Sequence, residues 1–158
     1  MTSKRFMRLL TLIYSITILG LLLFMALSYS QSTNLIIGFS SKREVWPYIV
    51  PLVAMASYFG GNLMFNRTVS QITEESPLKQ KLTHYLQAGI IRYILLEGSA
   101  FIGVIAYREN HNIFYLAIVA SLILYLLKLR PTKEGVIRDL GLKGEEKEIF
   151  LKKEAEIL

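Results

Sequence analysis

Four apolar runs, each close to the length of a bilayer crossing, leave this chain little choice of fold: Leu9 to Leu27, Trp46 to Phe65, Leu86 to Tyr107 and Ile113 to Leu129. A helix rising 1.5 Å per residue needs about 20 apolar residues to cross about 30 Å of hydrocarbon. Inside lipid every backbone N–H and C=O must be satisfied within the protein, and a single run of this length achieves that as a helix. The expected fold is therefore all-α: a polytopic membrane protein with a four-transmembrane-helix bundle over residues 1–130 and a cytoplasmic helical tail over 131–158. Composition agrees, since 53% hydrophobic residues, 19% charged residues and a mean hydropathy of +0.41 are too apolar for a water-soluble domain of 158 residues.

Met1 to Arg5 followed by an apolar run resembles a signal peptide, but the run is too long and Ser28 to Thr33 offers only a weak cleavage site, so a retained first span is expected. Lys and Arg placement sets the orientation. With the N-terminus inside, fifteen of the eighteen basic residues fall on the cytoplasmic side and only Lys42, Arg43 and Arg108 fall outside. Both termini are thus expected to be cytoplasmic. The formal net charge of +6 then reflects topology and anionic headgroups, and no nucleic-acid partner is expected, because the basic residues flank spans.

Ser76-Pro77 reads as an N-cap followed by proline at the first helical position. Leu78, Leu82, Tyr85, Leu86 and Gly89 then follow helical spacing, so one helix is expected to run from Pro77 unbroken into the third span. Asn66 to Glu75 is expected to prolong the second span beyond the bilayer. After Arg130-Pro131-Thr132, the pattern predicts a short helix from Lys133 to Leu140 closed by Gly141, and a second from Gly144 to Leu158. That second helix carries Ile149, Phe150, Leu151, Ile157 and Leu158, which suit either a partner or the chain's own cytoplasmic hairpin.

Small residues concentrate in the second and third runs: Ala56 with Gly60, Ser57 with Gly61, then Gly98, Ser99, Ala100 and Gly103. They permit close helix approach, so the second and third spans are expected to touch. Pro51 removes a backbone donor and suggests a kink in the second span.

Glu97 is the one acid deep within a run, and an ionisable group in a spanning helix is costly enough to need a partner or a function. Arg92 is a poor partner within the same helix, because five residues place it about 140° around the axis and about 7.5 Å along it. Arg92 is expected to snorkel to cytoplasmic headgroups, leaving Glu97 in the inner half, facing small residues able to pack against Ala56, Gly60 and Gly61 of the second span. Burial there disfavours a bare carboxylate, which suits either a protonated interhelical donor or an exchangeable ion site. Asn62 and Asn66 are the candidate hydrogen-bond partners for the third span.

Other chemistry is sparse. Cysteine is absent, excluding disulfides and thiol redox catalysis. His84 and His111 flank opposite ends of the third run and cannot share a haem or a metal. No nucleophile–base set or phosphate-binding loop is visible, so no catalytic residue, metal or cofactor is expected.

The stretch Leu96-Glu97-Gly98-Ser99-Ala100-Phe101-Ile102-Gly103-Val104-Ile105-Ala106 resembles the carboxylate-bearing helix of rotary ATPase ring proteolipids, a family in which the matching Glu would bind the transported proton or sodium ion. The likeness covers eleven residues, and the chain departs from that family in its single Gly20 in the first span, its long 67–84 connection and its orientation. Small multidrug transporters share four helices and a membrane acid, but carry theirs in the first helix and lack such a tail. As a whole the chain resembles small four-span bacterial membrane proteins with an acid in span three and an Arg130-Pro131-Thr132-Lys133 exit, which implies the bacterial inner membrane.

The function expected is a non-enzymatic subunit or scaffold in the lipid bilayer, assembling as a homo-oligomer or complex subunit through its small-residue faces and docking a cytoplasmic partner through 131–158. The alternative is a proton- or cation-coupled transporter or channel component using Glu97.

Overall fold

The computed structural model describes residues 2–32, 35–38, 45–73 and 75–152. Six helices follow in order: α1 (Ser3–Ser30), α2 (Trp46–Ser70), α3 (Leu78–Asn110), α4 (Ile113–Lys128), α5 (Lys133–Asp139) and α6 (Gly144–Leu151). Among the described residues there is no strand, and Ile36 and Asn112 form an isolated parallel bridge. Lys42, Arg43, Lys153, Ile157 and Leu158, which entered the charge and tail expectations, lie outside the described residues.

Capping fixes the helix starts. Thr2 accepts from the Arg5 N–H, Asn112 from the Phe114 N–H and Thr132 from the Gly135 N–H, each satisfying a donor that the first turn leaves open. At α3 the register is one residue later than Ser76-Pro77 suggested. Pro77 itself is the cap, with extended backbone and no side-chain bond, and the helix begins at Leu78. From there α3 is continuous over 33 residues, about 50 Å. It ends where His111 turns into the left-handed region at φ 52° and returns its N–H to the Tyr107 carbonyl at 2.7 Å. The prolongation of α2 reaches Ser70 and stops short of Glu75, and α2 runs through Pro51 as one helix.

Three helices, α1, α2 and α3, are long and apolar enough to cross a membrane. The fourth qualifies only jointly: α4 has 16 residues, about 24 Å, and meets α5 at a bend of 83°. Arg130 and Pro131 make that bend, since proline drives the preceding residue out of helical geometry.

Helix α3 is the hub, packing most extensively on α2, then on α4 and α1. Gly61 lets α2 approach α3 so closely that an added Cβ would lie 3.3 Å from Arg92 Cγ, and Gly103 does the same for α4, at 2.6 Å from Val119 Cγ2. One apolar core joins all six helices, with Leu10, Leu96, Leu126, Val136 and Phe150 among its buried members. A smaller cluster of Val50, Ala106, Tyr107 and Tyr115 closes the opposite end.

The tail folds back on its own chain. Phe150 meets the Phe6 ring edge-on at 6.2 Å, Ser3 Oγ donates to the Ile149 carbonyl, and buried Lys81 donates to both oxygens of Glu146 at 2.8 and 3.0 Å. Of the apolar side chains that suited either a partner or the chain's own hairpin, Phe150 is buried, Ile149 is partly buried and Leu151 is exposed, while Val136 and Leu142 of the same tail are buried. The exterior of the long helices is the reverse. Leu12, Ile16, Leu19 and Leu23 of α1 and Leu52, Met55, Phe59 and Leu63 of α2 are exposed, an apolar surface that lipid tolerates and water does not.

Candidate functional site

Two polar features interrupt this apolar scaffold. The first is Glu97, which α3 turns toward α1 and away from α2. Thr17 Oγ1 donates to Glu97 Oε2 at 3.5 Å, and Glu97 Oε1 is the atom nearest to where a Gly20 side chain would begin, at 3.9 Å. The expected neighbours on the second span, Ala56, Gly60 and Gly61, are therefore replaced by Thr17 and Gly20. Gly61 packs instead on Arg92, while Gly60 and Gly98 have open space where a side chain would be. Ser57, Ser99, Ala100 and Gly103 are buried, and Ala56 is exposed. The small-residue set splits accordingly, part of it joining this chain's own helices and Ala56, Gly60 and Gly98 facing outward.

The second feature lies one and a half turns away on α3. Arg92 lays its stem against Gly61 of α2. It is half-buried, its guanidinium centred 3.9 Å over the Phe65 ring, where cation–π attraction offsets part of its desolvation. Nη1 donates to Asn62 Oδ1 at 3.5 Å, and Tyr125 Oη donates to the same oxygen at 2.7 Å. Asn62 thereby joins α2, α3 and α4, while its own amide donates to the Tyr58 carbonyl. Asn62 meets α3 through Arg92. Asn66 instead lines the cavity described next.

Beside Arg92 opens a cavity of about 990 Å³ between the ends of α2, α3 and α4, with α5 lying across it. Its wall carries Arg92, Lys128, Arg130 and Arg138 against Glu134 and Asp139. Asp139 is already engaged, accepting from Tyr85 Oη at 3.1 Å and from Arg138 Nε at 3.2 Å. Tyr93, also on the wall, donates to the Leu129 carbonyl at 3.2 Å, satisfying a group that the end of α4 leaves open. Nothing in the sequence joined these cations, because they come from three helices and a turn. The Arg130-Pro131-Thr132 exit was the visible signal, for it is the bend that folds α5 over the cavity.

At the other end, Trp46 Nε1 donates to Glu109 at 2.9 Å and the His111 ring pairs with Ser32 Oγ at 2.9 Å, while His84 stands on the first turns of α3. The two histidines are separated by nearly the whole of α3, as their spacing required. Among the described residues no group of three or more His, Cys, Asp or Glu is placed to hold a metal.

The fold and these sites define a class, an all-α protein with three helices able to cross a membrane and a fourth if α4 and α5 count together. No known protein family matches the chain, and neither a curated protein nor a solved structure does.

Proposed function

We propose that the chain is a four-span integral membrane protein of the bacterial inner membrane, with both termini cytoplasmic, acting as a non-enzymatic subunit or scaffold that assembles through an outward stripe on α2. The observation that carries assembly is the sorting of the small residues. Gly61 and Gly103 are closed over by α3 and α4, whereas Gly60 has no atom within 4 Å of its would-be side chain and Ala56, one turn earlier, is exposed. Small residues four apart on a lipid-facing surface let two helices approach closely enough for van der Waals contact to replace lipid. The intramembrane polar groups favour a scaffold, since Thr17–Glu97 and Asn62–Tyr125 each join one helix to another. Wild-type protein in nanodiscs should give native masses of two or more copies, and the Ala56→Leu/Gly60→Leu pair should give single copies with unchanged helicity. A monomeric wild type would remove this reading.

A second reading, coupled transport of protons or cations through Glu97, is favoured by one specific feature: its carboxylate meets a hydroxyl and the gap over Gly20 instead of a basic side chain. Glu97→Gln should then abolish ion flux in liposomes while leaving the fold and assembly intact. Flux that persists in the variant rejects it.

A further inference from the structure

The cavity under α5 has a charge balance that its own chain leaves incomplete. Lys128 and Arg130 have neither an ion pair nor a side-chain hydrogen bond among the described residues, although Arg130 and its neighbour Pro131 form the bend that closes the site. Arg92 Nε is buried without a hydrogen-bond partner, and the stacking on Phe65 holds the guanidinium plane in place. Of the two carboxylates on the wall, Asp139 is held by Tyr85 and Arg138, so Glu134 alone faces three cations. A buried donor of this kind needs an acceptor. Guanidinium and ammonium groups lining one cavity match a phosphate in charge, and the guanidinium fork matches its oxygens in geometry. A volume of about 990 Å³ also exceeds what one bare ion fills and suits a phosphate with a larger group attached.

We propose that this cavity binds a phosphate-bearing ligand, its phosphate held by Arg92, Lys128 and Arg130. Pockets of this type, basic and set at the inner ends of membrane helices, are suited to anionic headgroups, and the same donor set would take free phosphate. The site does not depend on assembly through Ala56 and Gly60, so either reading can fail alone.

The test uses full-length protein in a neutral detergent and two probes, inorganic phosphate and dioleoyl phosphatidylglycerol, with phosphatidylcholine and chloride as controls. Native mass spectrometry reads retained lipid and calorimetry reads phosphate. At least one probe should bind well above its control, phosphate alone indicating a soluble ligand, phosphatidylglycerol alone a lipid, and both the phosphate group itself. Lys128→Gln/Arg130→Gln should weaken that binding by roughly tenfold or more, as expected when charge-assisted bonds are lost. Arg138→Gln, at a largely exposed position, should weaken it less and keeps the test informative if the double variant misfolds. Lys143→Gln/Lys147→Gln, at the N-cap of α6 and within it and both off the cavity wall, should change it less than about twofold, since neither side chain reaches the proposed phosphate. Binding of neither probe above its control, or equal weakening by the α6 variant, would overturn the proposal.

Discussion

At Gly103 one missing Cβ decides how near α4 can come to α3. The atom would lie 2.6 Å from Val119 Cγ2, and Val119 is fully buried with a β-branched side chain that has little rotameric freedom to move aside. Gly103→Ala should therefore destabilise the protein by about 1–3 kcal/mol, the usual cost of overpacking, despite alanine's better helix propensity. Gly98→Ala, with nothing within 4 Å, should be neutral or slightly stabilising, within about 1 kcal/mol. Thermal melts of the two variants in one detergent separate these outcomes, and equal melting temperatures would contradict the close α3–α4 contact. Lys81 and Glu146 make a second asymmetric pair, since the side chain of Lys81 is 5% exposed and that of Glu146 is 33% exposed. Glu146→Leu removes two charge-assisted hydrogen bonds from the buried Lys81 ammonium and should cost about 1–3 kcal/mol, below the range for a fully buried pair because water reaches this end. Lys81→Met leaves a carboxylate that can turn to water and should cost less than about 1 kcal/mol. Chemical denaturation ranks the two, and the reverse order would show that Lys81 is better solvated than its burial indicates. Glu97 was visible in the sequence as an anomaly, but its neighbour was not. A helix apolar on every side carries no amphipathic stripe, so its rotation about its own axis, and hence whether Glu97 meets α1 or α2, depends on packing that only the assembled helices determine.

Elements were far more legible than neighbours, because length and apolar content fix a spanning helix with little help from tertiary structure. The four runs reappear as α1 to α4, and Leu78, Leu82, Tyr85 and Gly89 all lie on the buried side of one continuous α3. Boundaries drifted where a cap overrode hydropathy. Helix α1 starts at Ser3 because Thr2 caps it, six residues ahead of the apolar run, and α3 stops at Asn110 because His111 adopts a left-handed turn. The tail illustrates a harder problem, since its apolar positions suited a partner and the chain's own hairpin equally well. Docking depends on Phe150, fully buried and edge-on to Phe6. Phe150→Ala removes that contact, and a buried Phe→Ala change costs about 3–5 kcal/mol. Helix α6 has only eight residues and is marginal once detached, so the loss should appear as local release instead of global unfolding. Limited proteolysis should cut within 143–152 in the variant much faster than in wild type, with the α1–α4 fragment remaining resistant. Unchanged cleavage would mean that the polar contacts Lys81–Glu146, Ser3–Ile149 and Lys133–Leu151 hold α6 without the aromatic pair.

For the molecule as a whole, the fold ties the start of the chain to its tail. Ser3 bonds the Ile149 carbonyl and Phe6 packs on Phe150, so the N-terminal end of α1 and α6 occupy one side of the helices. The opposite side carries Trp46 bonded to Glu109, and His111 bonded to Ser32. Among the described residues lysine and arginine divide unevenly between these two sides, with Lys4, Arg5, Arg67, Lys79 and those from Lys128 to Lys152 on the first and Arg108 on the second. On the proposed four-span reading the positive-inside tendency would keep the first side cytoplasmic, since translocating it would carry most of the basic residues across the bilayer. A chain without native cysteine allows a direct measurement. Lys4→Cys and Lys147→Cys, both exposed, should be protected from a membrane-impermeant maleimide in intact cells and react after lysis, whereas Ser30→Cys and Glu109→Cys, exposed on the second side, should react in both. An odd number of crossings would separate Lys4 from Lys147, which requires α4 to stop within the membrane and α5 to turn back. The 83° bend at Pro131 makes that alternative concrete, and labelling of Lys147→Cys but not Lys4→Cys in intact cells would establish it in place of four spans. It would also require the Ser3–Ile149 and Phe6–Phe150 contacts to be broken in the membrane. Because those contacts bury an aromatic pair at the junction of α1 and α6, matched protection of the two cysteines is the outcome that the packing and the charge distribution both favour.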